Sequence, residues 1–181
     1  MRHLRHRESA ACTFRSASLT TLLLGHVKIA AASVEAMDTI RTLLREYQAA
    51  LGVDLCFQGF DAELDDLPGS YAPPRGRLLL AHADGVVAGC VALRPLSARR
   101  CEMKRLYVRG EFRGAGIGRA LVSAILSEAR AVGYAEMVLD TLPTMIEAQR
   151  LYEMFGFHDV APYCDNPIPG TRYLGRALSP L

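Results

Sequence analysis

At 181 residues, half of them hydrophobic, the chain has the apolar content of a globular protein and the length for one well-filled core, which excludes a wholly disordered polymer and argues against two domains. No apolar run approaches the roughly 20 residues that a membrane-spanning helix needs. The formal charge of +2 comes from the first 25 residues, where Arg2, Arg5, Arg7 and Arg15 stand against Glu8 alone; the remainder is nearly neutral and lacks a basic stripe, which sets nucleic acid aside.

Residues 1–25 are rich in Arg, Ser and Thr and poor in acid. That composition fits a disordered extension or a start assigned too early, an organelle-targeting segment, or an ordered arm. A secretory signal fits poorly, because His26 and Lys28 cut short the apolar stretch at Leu22, Leu23 and Leu24. Residues 26–181 read as one domain. Val27 to Ala32 predicts a first strand, and Met37, Ile40, Leu44, Tyr47 and Leu51 then recur at the spacing of a buried helical face that Gly52 closes. A short helix over Asp61 to Leu67 stops at Pro68-Gly69, and Tyr71 to Gly76 is a loop by composition.

Asp84-Gly85 is suited to the positive φ angles of a tight turn, so Arg77 to Ala83 and Val86 to Arg94 predict a hairpin. After a turn at Pro95 to Arg99, Cys101 to Val108 is a third antiparallel strand that runs into a glycine-rich segment. A helix follows with Ile117, Ala120, Leu121, Ala124 and Ile125 on one face, ended by Gly133. Glu136 to Asp140 is a short strand. The next helix is expected to start at Thr144, which with Glu147 has capping-box spacing, and to end where Gly156 takes a left-handed C′ position. Phe157 to Ala161 and Thr171 to Ala177 form a strand pair across a Pro-rich loop, giving the order β-α-α-β-β-β-α-β-α-β-β.

Cys12, Cys56, Cys90, Cys101 and Cys164 are odd in number and include no C-x-x-C pair, which suits neither a disulfide framework nor zinc. A reducing compartment, the cytoplasm, is expected, with Cys90 and Cys101 as small core residues. No His/Asp/Glu cluster has metal-ligand spacing. His82 and His158 could act as bases chemically, with surface or structural roles as the plainer use.

Arg113-Gly114-Ala115-Gly116-Ile117-Gly118 lies between a strand and a helix. Three alternating glycines let successive backbone N–H groups converge on one anion, the helix dipole adds positive potential, and Arg113 or Arg119 can add charge-assisted contacts. A purely structural tight connection is the alternative. Neither of the better-known glycine loops fits: Gly118 is followed by Arg119-Ala120, not Lys-Ser/Thr, and counting G-x-G-x-x-G from Gly114 ends on Arg119. A pyrophosphate coenzyme on another scaffold is indicated.

Here the sequence resembles the GNAT superfamily of N-acetyltransferases, whose Arg/Gln-x-x-Gly-x-Gly/Ala pattern is met by Arg113, Gly116 and Gly118. Cys101 to Val108 is similar to the family's fourth strand, and Leu151-Tyr152-Glu153-Met154-Phe155-Gly156-Phe157 to its last helix and following strand, so the resemblance covers residues 27 to 178. It implies an α/β (α+β) fold: a mixed, mostly antiparallel sheet of about six or seven strands flanked by about four helices. It also implies acetyl-CoA or another short acyl-CoA, held by Leu106, Tyr107 and Val108 and by the turn Arg113, Gly114, Ala115, Gly116, Ile117 and Gly118 with Arg119. Where many members carry Asn near the start of the last helix, this chain has Met145.

Amide formation from a thioester needs a neutral amine, an oxyanion donor and an acid for the departing thiolate, and an alkylamine near pKa 10.4 is almost wholly protonated at neutral pH. The resemblance assigns the acid to Tyr152, which is otherwise a packed core tyrosine, and the oxyanion donor to the Leu106 backbone N–H. Glu102 matches the base of histone-type members; Lys104 on the same strand face would weaken it, leaving an ion pair or a substrate contact as the other uses. The acceptor, a small amine or amino acid, is expected among Phe57, Gln58, Phe60, Tyr163, Asn166 and Tyr173, residues that a loop plug or a dimer contact would also use. Homodimers are common in the family. The competing functions are a non-catalytic acyl-CoA-binding domain and acetylation of a protein lysine or N-terminus.

Overall fold

The computed structural model describes residues 26–178, so the segment for which a leader was expected lies outside the described residues. Eleven elements follow in the expected order: β1 (Val27–Ala31), α1 (Met37–Leu51), α2 (Phe60–Asp65), β2 (Arg77–Ala83), β3 (Val86–Pro95), β4 (Arg100–Val108), α3 (Ile117–Val132), β5 (Glu136–Thr141), α4 (Ile146–Met154), β6 (His158–Asp159) and β7 (Arg172–Ala177). The strands form one sheet in the order β1-β2-β3-β4-β5-β7-β6. Every neighbouring pair is antiparallel except β4 with β5. No helix among the described residues is long and apolar enough to cross a membrane.

Side chains alternate across a strand, so the continuous apolar run Leu78-Leu79-Leu80-Ala81 feeds both faces of the sheet. Leu79 and Ala81 pack with Val91, Leu93 and the α3 residues Leu121 and Ile125. Leu78 and Leu80 pack with Cys90, Ala92 and the α1 residues Ile40, Leu43 and Leu44. Each such leucine or isoleucine contributes about 1.5–3 kcal/mol by leaving water. Cys90 and Cys101 lie in these cores, where burial pushes each thiol up to about 12. The β2–β3 turn has Asp84 at φ 49° and Gly85 at φ 82°, the paired positive angles that Asp-Gly favours.

Alternation breaks beside Ala81, where β2 meets β3, and again in β4. Lys104 pairs with Ala92 and Tyr107 with Cys90, so Arg105 and Leu106 together face Val91 alone. Arg105 takes φ 58°, a left-handed angle that costs a non-glycine residue about 1–2 kcal/mol. The extra residue is a β-bulge, and it inverts the faces beyond it. Cys101 and Met103 point into the α3 core and so do Leu106 and Val108, whereas Tyr107 joins the α1 side.

The sheet also divides. β4 and β5 pair only at Arg100↔Glu136, Cys101↔Met137 and Glu102↔Val138, while β5 pairs with β7 along its whole length. Past Glu102 the first strand follows β3 and the second follows β7, and a cleft opens between them.

Three elements differ from expectation by more than one residue. α2 ends at Asp65 and not at Leu67. The last strand before the Pro-rich loop is only His158–Asp159. α4 starts at Ile146 with Met145 at the N-cap and no side-chain cap. The Leu142 carbonyl accepts both the Met145 N–H (3.0 Å) and Gln149 Nε2 (2.8 Å), which keeps exposed Thr144 in the preceding turn. Glu147 bonds Arg150 within the helix (3.1 Å), not the backbone in front of it.

At the other end of α4 the expected glycine stop is present. Gly156 has φ 78°, its N–H reaches the Glu153 carbonyl (2.9 Å), and the Phe157 N–H reaches the Tyr152 carbonyl (3.1 Å). This is a Schellman motif, closed by the Phe157 ring meeting the Tyr152 ring edge-on at 6.0 Å. Gly156→Ala is expected to cost about 1–2 kcal/mol and to lower the thermal midpoint by a few degrees in calorimetry.

Candidate functional site

α3 has Gly116 (φ 79°) at its N-cap and no side-chain cap, so the amides of its first turn keep no side-chain partner. Gly114 has the same φ of 79°, a conformation that L side chains rarely adopt. Together they turn the chain from β4 into the helix, with amides and dipole aimed at the cleft. Arg113 donates from Nε to the Val108 carbonyl at 3.0 Å, tying the turn to the end of β4.

The cleft beside this turn encloses about 790 Å³. Leu106, Tyr107 and Val108 form one wall, Arg113, Gly114 and Gly116 to Arg119 the floor, and Thr144 to Ala148 with Leu151 and Met154 the other wall. Of the residues expected to hold a coenzyme, only Ala115 is not part of the lining. A second chamber of about 30 Å³, room for about one water, lies at its inner end. Tyr47, Leu51, Leu106 and Met145 line both cavities, and Tyr152 lines the chamber.

Tyr152 stands in the chamber wall, 5 % exposed, and burial raises its phenol above the ordinary value of 10.0. A phenol in that state keeps its proton at neutral pH and can only be a donor of one. Tyr47 faces it from α1, likewise pushed up to about 12 by burial.

Below the sheet the chamber is walled by charge. Lys104 Nζ stands 3.1 Å from Asp140 Oδ1, 3.4 Å from Gln58 Oε1 and 3.5 Å from Glu102 Oε1. Glu102 is fully buried. Arg94 Nε donates to its Oε2 at 2.6 Å and the Tyr163 hydroxyl to its Oε1 at 2.9 Å, so both oxygens are engaged and neither lines the chamber. Asp140 is the one carboxylate in the chamber wall among the described residues. Burial works to raise its pKa, but the Lys104 ammonium and the Asn166 amide (2.9 Å to Oδ2) outweigh it and hold the group below 3.8.

The expected acceptor residues are distributed unequally. Gln58 lines the chamber, Tyr163 and Asn166 hold Glu102 and Asp140 from the Pro-rich loop, and Tyr173 on β7 meets the Tyr163 ring at 5.7 Å. Phe60 is buried below the Arg105 guanidinium, 5.0 Å from its ring centre, and is not in the chamber wall. Phe57 sits in the 3-10 turn Cys56–Gln58. His82 and His158 line neither cavity. Asp140, Glu63 and Arg94 escaped the sequence reading. Arg94 alone left a signal, because a hairpin through Pro95 to Arg99 sets it opposite Glu102. Among the described residues no group of three His, Cys, Asp or Glu stands ready to hold a metal ion.

A model of the GNAT family of acetyltransferases matches residues 38–157. A protein of Schizosaccharomyces pombe named as an N-acetyltransferase is 44% identical, over 79% of this chain and 89% of its own length. One of Dictyostelium discoideum, also named as an N-acetyltransferase, is 32% identical over 74% of this chain and 90% of its own. Among solved structures, an acetyltransferase of Salmonella typhimurium determined with acetyl-CoA superposes with a TM-score of 0.65 at 20% identity, covering 84% of this chain and 94% of that one.

Asp140 and Glu63 both have folded pKa values below their ordinary ones, so their contribution to stability is present in full above the unfolded values and is lost as pH falls through the folded values. The thermal midpoint is expected to drop below about pH 4, and Asp140→Asn to make that acid decline shallower in melting curves taken across pH.

Proposed function

The chain belongs to the GNAT family of acetyltransferases, and from that premise we propose that it moves an acetyl group from acetyl-CoA to a primary amine by direct attack with both substrates bound. The observation that carries this reading is the shared wall: one cleft suited to a coenzyme and one small chamber meet at Leu106 and Met145, with Tyr152 in the chamber wall. The acetyl-CoA of the Salmonella relative supports the same donor here.

In this reading the uncapped amides of α3 and the side chains of Arg113 and Arg119 take the diphosphate, with the helix dipole assisting. The pantetheine arm runs beside Leu106 to Val108, along the edge of β4 that β5 has left. The thioester then reaches the junction. The Leu106 N–H stabilises the oxyanion as the amine attacks, and Tyr152 gives its proton to the departing thiolate. The attacking amine must first shed a proton, which passes to solvent through the one water that the chamber can hold. Asp140, the one carboxylate in the chamber wall among the described residues, receives the incoming ammonium; Glu102, saturated by Arg94 and Tyr163, holds Lys104 and the Pro-rich loop in place.

A small amine or amino acid is the acceptor in this reading, its ammonium group entering a chamber with room for about one water and the rest of the molecule staying outside it. Screening amines, amino acids and peptides with acetyl-CoA, with free thiol as readout, tests this directly. Tyr152→Phe is expected to lower kcat by about 10²-fold or more while acetyl-CoA still binds; near-normal turnover removes Tyr152 as the acid. Tight acetyl-CoA binding without turnover of any amine would instead mark a non-catalytic binding domain. Asp140→Asn is expected to raise the amine KM by about tenfold or more with the acetyl-CoA KM little changed, and an unchanged amine KM rejects Asp140 as its anchor.

A further inference from the structure

Arg105 is the one residue within a strand, among those described, that adopts a left-handed backbone without being glycine. Glycine would fit that angle without strain, yet the position carries a long, charged side chain that is almost fully buried, 4 % exposed. The side chain is held on every side. Nε and Nη2 grip the Glu63 carboxylate at 2.8 and 2.7 Å, Nη1 donates to Gln58 Oε1 at 3.1 Å, and the guanidinium lies over the Phe60 ring. Glu63 is fixed in turn by the Tyr71 hydroxyl at 2.9 Å. A bidentate fork of this kind sets orientation as well as distance.

We propose that the Arg105–Glu63 ion pair is the positioning device of the acetyl-transfer site, holding the β4 bulge closed so that the Leu106 N–H points at the junction of the two cavities. The inference rests on the acetyl-transfer reading of that junction. The bulge is the only step in β4 that brings Leu106 and Val108 to the α3 side; without it, the period of two would exchange their faces with Tyr107. Side-chain anchoring at residue 105 therefore becomes backbone aim at residue 106. Because Gln58 also bonds Lys104 at 3.4 Å, the acceptor side of the chamber is tied to the same anchor.

The test compares Glu63→Gln, Arg105→Gly and the double variant in the full chain. Two readouts are used. NMR backbone carbon shifts of residue 105 report the left-handed conformation without any need for turnover, and steady-state kinetics with whichever amine the wild-type protein acetylates report kcat beside the acetyl-CoA dissociation constant. Glu63→Gln is expected to move the residue 105 shifts away from left-handed values and to lower kcat by about tenfold or more, with acetyl-CoA affinity within about threefold of wild type. Adding Arg105→Gly is expected to restore a large part of kcat, since glycine adopts the angle without an anchor. A merely stabilising pair lowers the melting temperature and leaves kcat and the shifts alone, and that result overturns the proposal. So does a double variant no more active than Glu63→Gln. Should Glu63→Gln fail to fold, Arg105→Gly alone decides: left-handed shifts and near-normal kcat support the proposal, and loss of both overturns it. If wild-type protein acetylates no amine, the acetyl-transfer reading fails while the shifts still judge the anchor.

Discussion

A strand of period two sends alternate residues to one face, so β4 can turn Cys101, Met103, Leu106 and Val108 all to the same side only with a slip, and it makes that slip at Arg105. Before it, Glu102 and Lys104 face away from α3; after it, Leu106 and Val108 face towards it. The rest of the site follows from this one residue. The cleft wall, the backbone at the cavity junction and the charged chamber below the sheet each need β4 to change register where it does. The backbone strain of the slip is met by a buried, bidentate ion pair and an aromatic platform, not by glycine.

The charges under the sheet form a closed set. Arg94 with Glu102, Lys104 with Asp140, and Arg105 with Glu63 pair three cations with three anions in a region largely withdrawn from water. Buried pairs of this kind contribute little net stability compared with apolar residues, but removing one member leaves the other uncompensated. Their geometric consequence is clearer: they fix where carboxylates and donors stand. Lys104 alone touches two of the carboxylates and the Gln58 amide, which makes it the hinge between the pairs. A compact ammonium can be shared in this way, whereas a guanidinium fork commits to one plane.

Above the sheet the constraints are of another sort. The parting of β4 from β5 leaves strand edges without partners, and α3 supplies amides without a cap. Both are unfinished hydrogen-bonding surfaces at one cleft, which is what a ligand rich in oxygens and amides completes. The Schellman motif at the end of α4 then holds Tyr152 in the wall of the small chamber, through its own carbonyl and through the Phe157 ring.

Much of this was legible in the chain itself because it depends on neighbours in sequence. Gly52, Gly133 and Gly156 stop helices, Asp84-Gly85 turns a hairpin, and alternating glycines after a strand turn the chain into a helix. These are local φ preferences, and each appears where the residues place it. The start of α4 departs from the local pattern for the opposite reason: capping spacing at Thr144 and Glu147 is outweighed by Gln149, which reaches back to the Leu142 carbonyl. By itself, then, the sequence determined the element order and the glycine turn. Only the tertiary structure decided that Glu102 is saturated while Asp140 lines the chamber, and that Phe60 supports Arg105. Such pairings join residues tens of positions apart, and their geometry is set by packing and by desolvation, neither of which has a spacing that can be read along the chain.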